Sequence, residues 1–262
     1  MTLTLQSIID KFNVAITESE AYLSPARMTV KQRERCDALE DLLHEATSFK
    51  HQAITHGSES DANLFLGFEC AIGAILCELR MWIFLKKDDP NKAWEQLVAA
   101  QMGIADAARS HIGFGNLNAK MKRLEEIESI IFPPQTFLSA GFTSGYLECS
   151  ICGQNYSKCD HLRNKPYMGR LCEVIHRKIR ANHLATVKNP ADKRCRIVAT
   201  KTALGFKDKL SFKITPYKKG EKYTDDGTLE AQSILMSTNR FPYLDSNAKV
   251  LNKRQDHKRR PR

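Results

Sequence analysis

Residues Leu64 to Leu85 form an apolar run broken only by Glu69, Glu78 and Arg80. A helix over this stretch is apolar almost all round, so it must be enclosed, either by lipid or by other helices. Each charge near a bilayer centre costs about 2.5–3.5 kcal/mol. Three of them argue for enclosure by protein. The expectation is a central helix of a bundle, with no membrane as partner. The N-terminus carries no basic segment followed by an apolar core, so a secretory signal is not expected either.

The neighbouring sequence supplies the enclosing helices. Leu3, Leu5, Ile8, Ile9, Phe12 and Ile16 recur at three- and four-residue intervals, as do Cys36, Leu39, Leu42, Leu43, Ala46 and Phe49. Such spacing puts apolar side chains on one helix face. His56-Gly57 reads as a C-cap, and the central helix is expected from near Ser60-Asp61 to Lys86. Asp88-Asp89-Pro90 is a start signal, because an acidic cap precedes proline in a first turn. A fourth helix should end before Gly113, and a fifth should span Leu117 to Ile131 with Glu125, Glu126 and Glu128 on its wet side. Short connections between long helices favour an antiparallel bundle over residues 1–132.

Pro133-Pro134 ends the helical pattern, since proline cannot continue a helix. Beyond it the residues suggest strands at Thr136-Phe-Leu, Gly145-Tyr-Leu-Glu, Leu184-Ala-Thr-Val, Cys195-Arg-Ile-Val-Ala-Thr and Leu210-Ser-Phe-Lys-Ile. Segment 228–236 leans towards helix. The fold class is therefore α+β: a helical bundle, then a small zinc-stabilised β-containing domain over 133–245. Residues 246–262, rich in Lys and Arg towards the end, read as a disordered basic tail.

Charge divides at the same place. Up to Phe132 there are 14 basic and 19 acidic residues, a balance of −5. From Pro133 onward there are 26 basic and 11 acidic, a balance of +15. A basic surface attracts phosphate. The candidate nucleic-acid contacts are Arg177, Lys178, Arg180, Lys193, Arg194, Arg196, Lys218 and Lys219. Tyr167, Phe212, Tyr217 and Tyr223 are available to stack on unpaired bases. A protein partner, or a second copy met through the helical half, is the competing expectation.

Metal-ligand spacing is the most specific signal. Cys149-Ser-Ile-Cys152-Gly153 places two thiols three positions apart before a glycine that relaxes the turn, which is a zinc-knuckle pattern. Cys159 and His161 offer a second pair, and Cys172 is a fifth candidate for four positions. The preferred set is Cys149, Cys152, Cys159 and His161, with Cys172 able to replace Cys159 or His161. Four S and N ligands close the shell around Zn2+ and make it structural. Free cysteines in such a pattern also suit a reducing, cytoplasmic setting.

The run Cys149-x-x-Cys152-Gly153-x-x-Tyr156-x-x-Cys159-x-His161, followed by Pro166-Tyr167-x-Gly169-x-x-Cys172, resembles a cysteine-rich segment of phage and bacterial proteins related to prohead proteases. Asn182 to Asp192 is similar to the strand and Pro-Ala-Asp element of the same family. The resemblance covers residues 136–200 and implies a phage, mobile-element or antiphage-defence setting. It would place a nucleophile near Ser139. The family's His-bearing strand is not expected here, because the preceding region reads as helical and His56 and His111 fall at helix ends. An HNH-type nuclease would instead use Asp160-His161 with Asn182-His183. That role conflicts with His161 as a metal ligand. The sequence therefore favours a non-enzymatic zinc-containing binding protein, with a nuclease or a protease relative as the alternatives.

Overall fold

The structure is a computed structural model that describes residues 4–220, 223–224 and 227–232. Its first half holds α1 (Leu5–Glu20), α2 (Thr29–Thr55), α3 (Glu59–Lys86), α4 (Pro90–Ser110) and α5 (Asn118–Ile131), with a 3-10 segment at Ile112–Leu117. Three starts are capped by side chains: Thr4 accepts from Ser7 N, Ser58 from Asp61 N, and Asp89 from Lys92 N. These bonds satisfy amides that a first helical turn leaves unpaired. Pro90 follows Asp89 at the first turn of α4, as the sequence suggests.

Cross-helix pairs fix the directions. Lys50 pairs with Glu69 and Glu40 with Arg80, so α2 and α3 run antiparallel. Only three residues separate α3 from α4, and Gly103 packs against Cys70 and Ala74, so α4 folds back on α3. Helix α3 is the centre: 89% of its most apolar window is buried inside the bundle. Its charges are handled individually. Glu69 meets Lys50, and Glu78 accepts from Arg123 and from Trp82 Nε1.

The second half is built of short antiparallel strands. β1 (Phe137–Thr143) pairs with β6 (Arg180–Val187) and touches β7 (Arg196–Thr202). β8 (Gly205–Asp208) and β9 (Ile214–Thr215) extend this sheet, and β10 (Leu229–Gln232) pairs with β7. Two small ladders complete it: β2 (Tyr146–Cys149) with β5 (Val174–Arg177), and β3 (Pro166–Tyr167) with β4 (Arg170–Leu171).

Two expected elements differ. Leu210 to Lys213 is a turn, not a strand: the Asp208 carboxylate accepts from Leu210 N, Ser211 N and Ser211 Oγ. Phe212 then sits at φ +57°, outside strand geometry. Of the segment expected as helix over 228–236, Leu229–Gln232 forms strand β10, because the free edge of β7 offers a ladder. Residues 233–236 and the expected tail 246–262 lie outside the described residues.

The halves share one core. Trp94 of α4 packs edge-on to Phe132 and stacks on Phe137, and its Nε1 donates to the Lys193 carbonyl at 3.1 Å. Leu171 and Leu210 belong to the same buried cluster as the helices.

Candidate metal centre

β2 delivers Cys149 to a fully buried position at the strand end. The chain then reverses tightly. Gly153 N donates to the Cys149 carbonyl at 2.9 Å, and Ile151 N points at Cys149 Sγ at 3.4 Å. Gly153 takes φ +72°, a conformation that costs glycine nothing. Asn155 Oδ1 accepts from Ser157 N and starts a single 3-10 turn, Tyr156–Lys158, which ends at Cys159. Two tyrosines hold the next loop: Arg163 N donates to the Tyr156 hydroxyl and Leu162 N to the Tyr167 hydroxyl, each at 2.9 Å. The Tyr167 ring meets His161 edge-on at 4.7 Å.

The outcome is a donor cluster. The ligand atoms of Cys149, Cys152, Cys159 and His161 all lie within 4.8 Å of one another. His161 Nδ1 is buried and, among the described residues, has no hydrogen-bond partner. An unpaired buried nitrogen costs free energy that a cation would remove. Burial disfavours the Cys149 thiolate, but the Cys152 and Ile151 amides, with the Cys152 and Cys159 thiols, outweigh it and lower its pKa to about 6. Burial and the neighbouring Cys149 push Cys172 up to about 11. Three thiols and one imidazole at this spacing suit a soft, four-coordinate cation.

The cluster is anchored to the bundle by the β3–β4 hairpin. Its central residues, Met168 (φ +45°) and Gly169 (φ +72°), have the two positive φ values of a type I′ turn. Gly169 N donates to the buried Asn63 Oδ1 at 2.8 Å and Met168 N to Glu59 Oε1 at 3.3 Å, both on α3.

No known protein family, curated protein or solved structure matches this chain. Its chemistry has to be read from its own residues.

The basic candidates divide. Arg196 is only 2% exposed and cannot meet a phosphate, which corrects its expected role. Its guanidinium bonds Asn91 Oδ1 at 2.5 Å and Gln135 Oε1 at 3.2 Å, and burial lowers its pKa. Three others hold carboxylates: Arg177 grips Glu148 through two bonds, Lys193 meets Glu128 and Arg194 meets Asp192. Glu128 thus faces the second half and not only water. Lys178, Arg180, Lys218 and Lys219 are exposed. The sequence reading passed over Lys158, Arg163, Lys165 and Arg170, which are exposed on the cluster's own loop with Asp160 as the one acidic residue of 150–172. The signal lies in the sequence between the cysteines, as Lys158, Arg163, Lys165 and Arg170 against Asp160. Of the aromatic candidates, Phe212 and Tyr223 are exposed, whereas Tyr217 and Tyr167 use their hydroxyls internally.

The catalytic candidates are not assembled. Ser139 faces Ala185 across the β1–β6 ladder while His183 covers Gly141. Among the described residues no hydrogen bond joins Ser139 to a histidine. A serine without a base in reach is not activated. His56 and His111 cap helix ends, and Asn182 and His183 lie on a strand, not on the helix an HNH site needs. His176 bonds Ser144 Oγ at 2.8 Å, a contact the sequence did not suggest.

Proposed function

We propose that this protein is a non-enzymatic, zinc-containing binding protein whose basic second half contacts nucleic acid. The observation that carries the reading is the convergence of Cys149, Cys152, Cys159 and His161, with the His161 nitrogen buried and unpaired. Zinc is the ion that best suits a Cys3His donor set, and a closed set leaves no open position for chemistry. When bound, zinc would cross-link β2, the 3-10 turn and the His161 loop, holding the loop's charges in a fixed array.

That array supplies the contact. Lys158, Arg163, Lys165 and Arg170 stand on the knuckle, and Lys178 and Arg180 lie on the turn and strand beyond β5. Flexible lysines and arginines bind phosphates without reading bases. Eight cysteines, none in a disulfide, suit a reducing cytoplasmic setting. A phage or defence context stays a proposal on the sequence motif alone.

The test is fluorescence anisotropy of the zinc-loaded full chain with labelled single-stranded and duplex DNA and RNA. Affinity should fall by orders of magnitude from about 50 to 200 mM salt if roughly six or more phosphates are met. A Lys158→Ala/Arg163→Ala/Lys165→Ala variant should weaken binding to every sequence and flatten the salt slope by about three. Salt-insensitive binding, or none at low salt, would redirect the basic face to an acidic protein.

A further inference from the structure

Four donors form the cluster, and a fifth thiol lies against one of them, one more than a tetrahedral ion accepts. Cys172 is the fifth. It leaves β4 with its amide bonded to the Lys165 carbonyl at 2.8 Å, while its own carbonyl accepts from Asn164 N at 2.8 Å. These bonds fix its backbone beside the loop that carries His161. Its side chain is 0% exposed, and its Sγ lies 3.8 Å from Cys149 Sγ. Zinc–sulfur bonds of about 2.3 Å give sulfur–sulfur edges of about 3.8 Å in a tetrahedron. Cys172 therefore already stands one tetrahedron edge from the buried anchor ligand. His161 lies within the four-donor group itself, its Nδ1 buried and, among the described residues, unpaired.

We infer that Cys149, Cys152 and Cys159 form a constant three-thiolate base, and that His161 and Cys172 are interchangeable fourth ligands. The inference rests on the zinc reading above and adds a second binding mode to it. The two modes differ in chemistry. With His161 the site is three thiolates and one imidazole, and with Cys172 it is four thiolates and one unit more negative. Exchange moves one donor out as the other moves in, with the Cys172 proton lost to solvent when its thiolate binds. No oxidant or second metal is involved. A spare ligand lets the ion survive the loss of either fourth donor.

Cobalt(II) titration of the full-length chain reads this directly, because cobalt occupies tetrahedral zinc sites and its thiolate charge-transfer band counts sulfurs. His161→Ala and Cys172→Ala should each bind one cobalt per chain with tetrahedral d–d bands. The charge-transfer absorbance of His161→Ala should be about four-thirds that of Cys172→Ala, reflecting four sulfurs against three. Each single change should lower affinity by less than about tenfold, and the double variant by more than about a hundredfold, because either donor covers for the other. If an alanine variant does not fold by circular dichroism, His161→Gln and Cys172→Ser, which keep more of the side-chain volume, carry the same comparison. Loss of cobalt from either single variant as complete as from the double would overturn the exchange and leave the zinc reading intact. A wild-type chain that takes up neither cobalt nor zinc would overturn both.

Discussion

At the scale of single residues, the buried charges separate structure from function. Arg196 looked like a phosphate ligand because it sits in a basic run, Lys193-Arg194-x-Arg196. At the start of β7 both it and its neighbour Ile197 are buried, and its guanidinium lies over Trp94 at 5.9 Å. A one-letter charge does not report which face of a strand it occupies, so its burial was not legible. The Cys/His cluster was legible because metal binding requires particular side chains at short spacing, whatever the surrounding fold. Glu78 offers a test of the buried acids. Burial raises its pKa, with Arg123 and Trp82 only partly offsetting that. A carboxyl whose folded pKa is raised takes up protons on folding, so its contribution to stability falls as pH rises from the unfolded carboxylate range through the folded pKa. Glu78→Gln should therefore be neutral or stabilising at pH 7, and should reduce the loss of stability from about pH 4.5 to 7. Urea midpoints at the two pH values provide the check. A large destabilisation by Glu78→Gln at pH 7 would show that the Arg123 pair outweighs the burial penalty.

At the scale of elements, the helices could be read closely because each carries its own periodicity and end signals. Ser58, Asp89 and the Gly57 turn are local, and so are their effects. Strands proved harder where a segment's conformation depends on a partner. Nothing within residues 229–232 requires a strand, but the edge of β7 does. Likewise, the alternation at 210–213 was overruled by the Asp208 side chain, which ties three donors into a turn, and a strand resumes only at Ile214. Helix α3 also contains a packing constraint that the sequence hides. A Cβ on Gly67 would lie 2.1 Å from Phe114 Cε2, so the 3-10 segment rests directly on the glycine. Gly67→Ala gains up to about 1 kcal/mol of helix propensity but forces Phe114 aside, at about 1–3 kcal/mol. The expected net change is a loss of up to about 2 kcal/mol, read from the urea midpoint with an unchanged m-value. An equal or raised midpoint would mean that the 3-10 segment yields freely.

At the scale of the whole molecule, the −5 and +15 halves suggest separate units, yet their charges also meet across the join. Lys193 pairs with Glu128, and Lys213 with Asp88. The deeper ties are apolar and hydrogen-bonded. Trp94 lies against Phe137, Leu171 enters the helical core, and the hairpin amides of Met168 and Gly169 bond to Glu59 and Asn63 at the start of α3. Composition cannot reveal such an interface, because each half is individually an ordinary pattern. The connection has a thermodynamic consequence if zinc occupies the knuckle. Binding that favours only the folded chain adds stability as RT ln(1 + [L]/Kd), about 2.7 kcal/mol when free zinc is 100 times Kd. In two separate domains that sum would act on the knuckle alone. Here the hairpin is bonded to α3 and Leu171 lies in the helical core, so the two are expected to unfold together and the gain to reach the entire chain. Chelation should therefore lower a single melting transition by about 5–10 °C, with tryptophan fluorescence from Trp82 and Trp94 moving together with far-UV dichroism. A new low-temperature transition, with the helical melt left in place, would show instead that the knuckle is energetically independent of the bundle it touches.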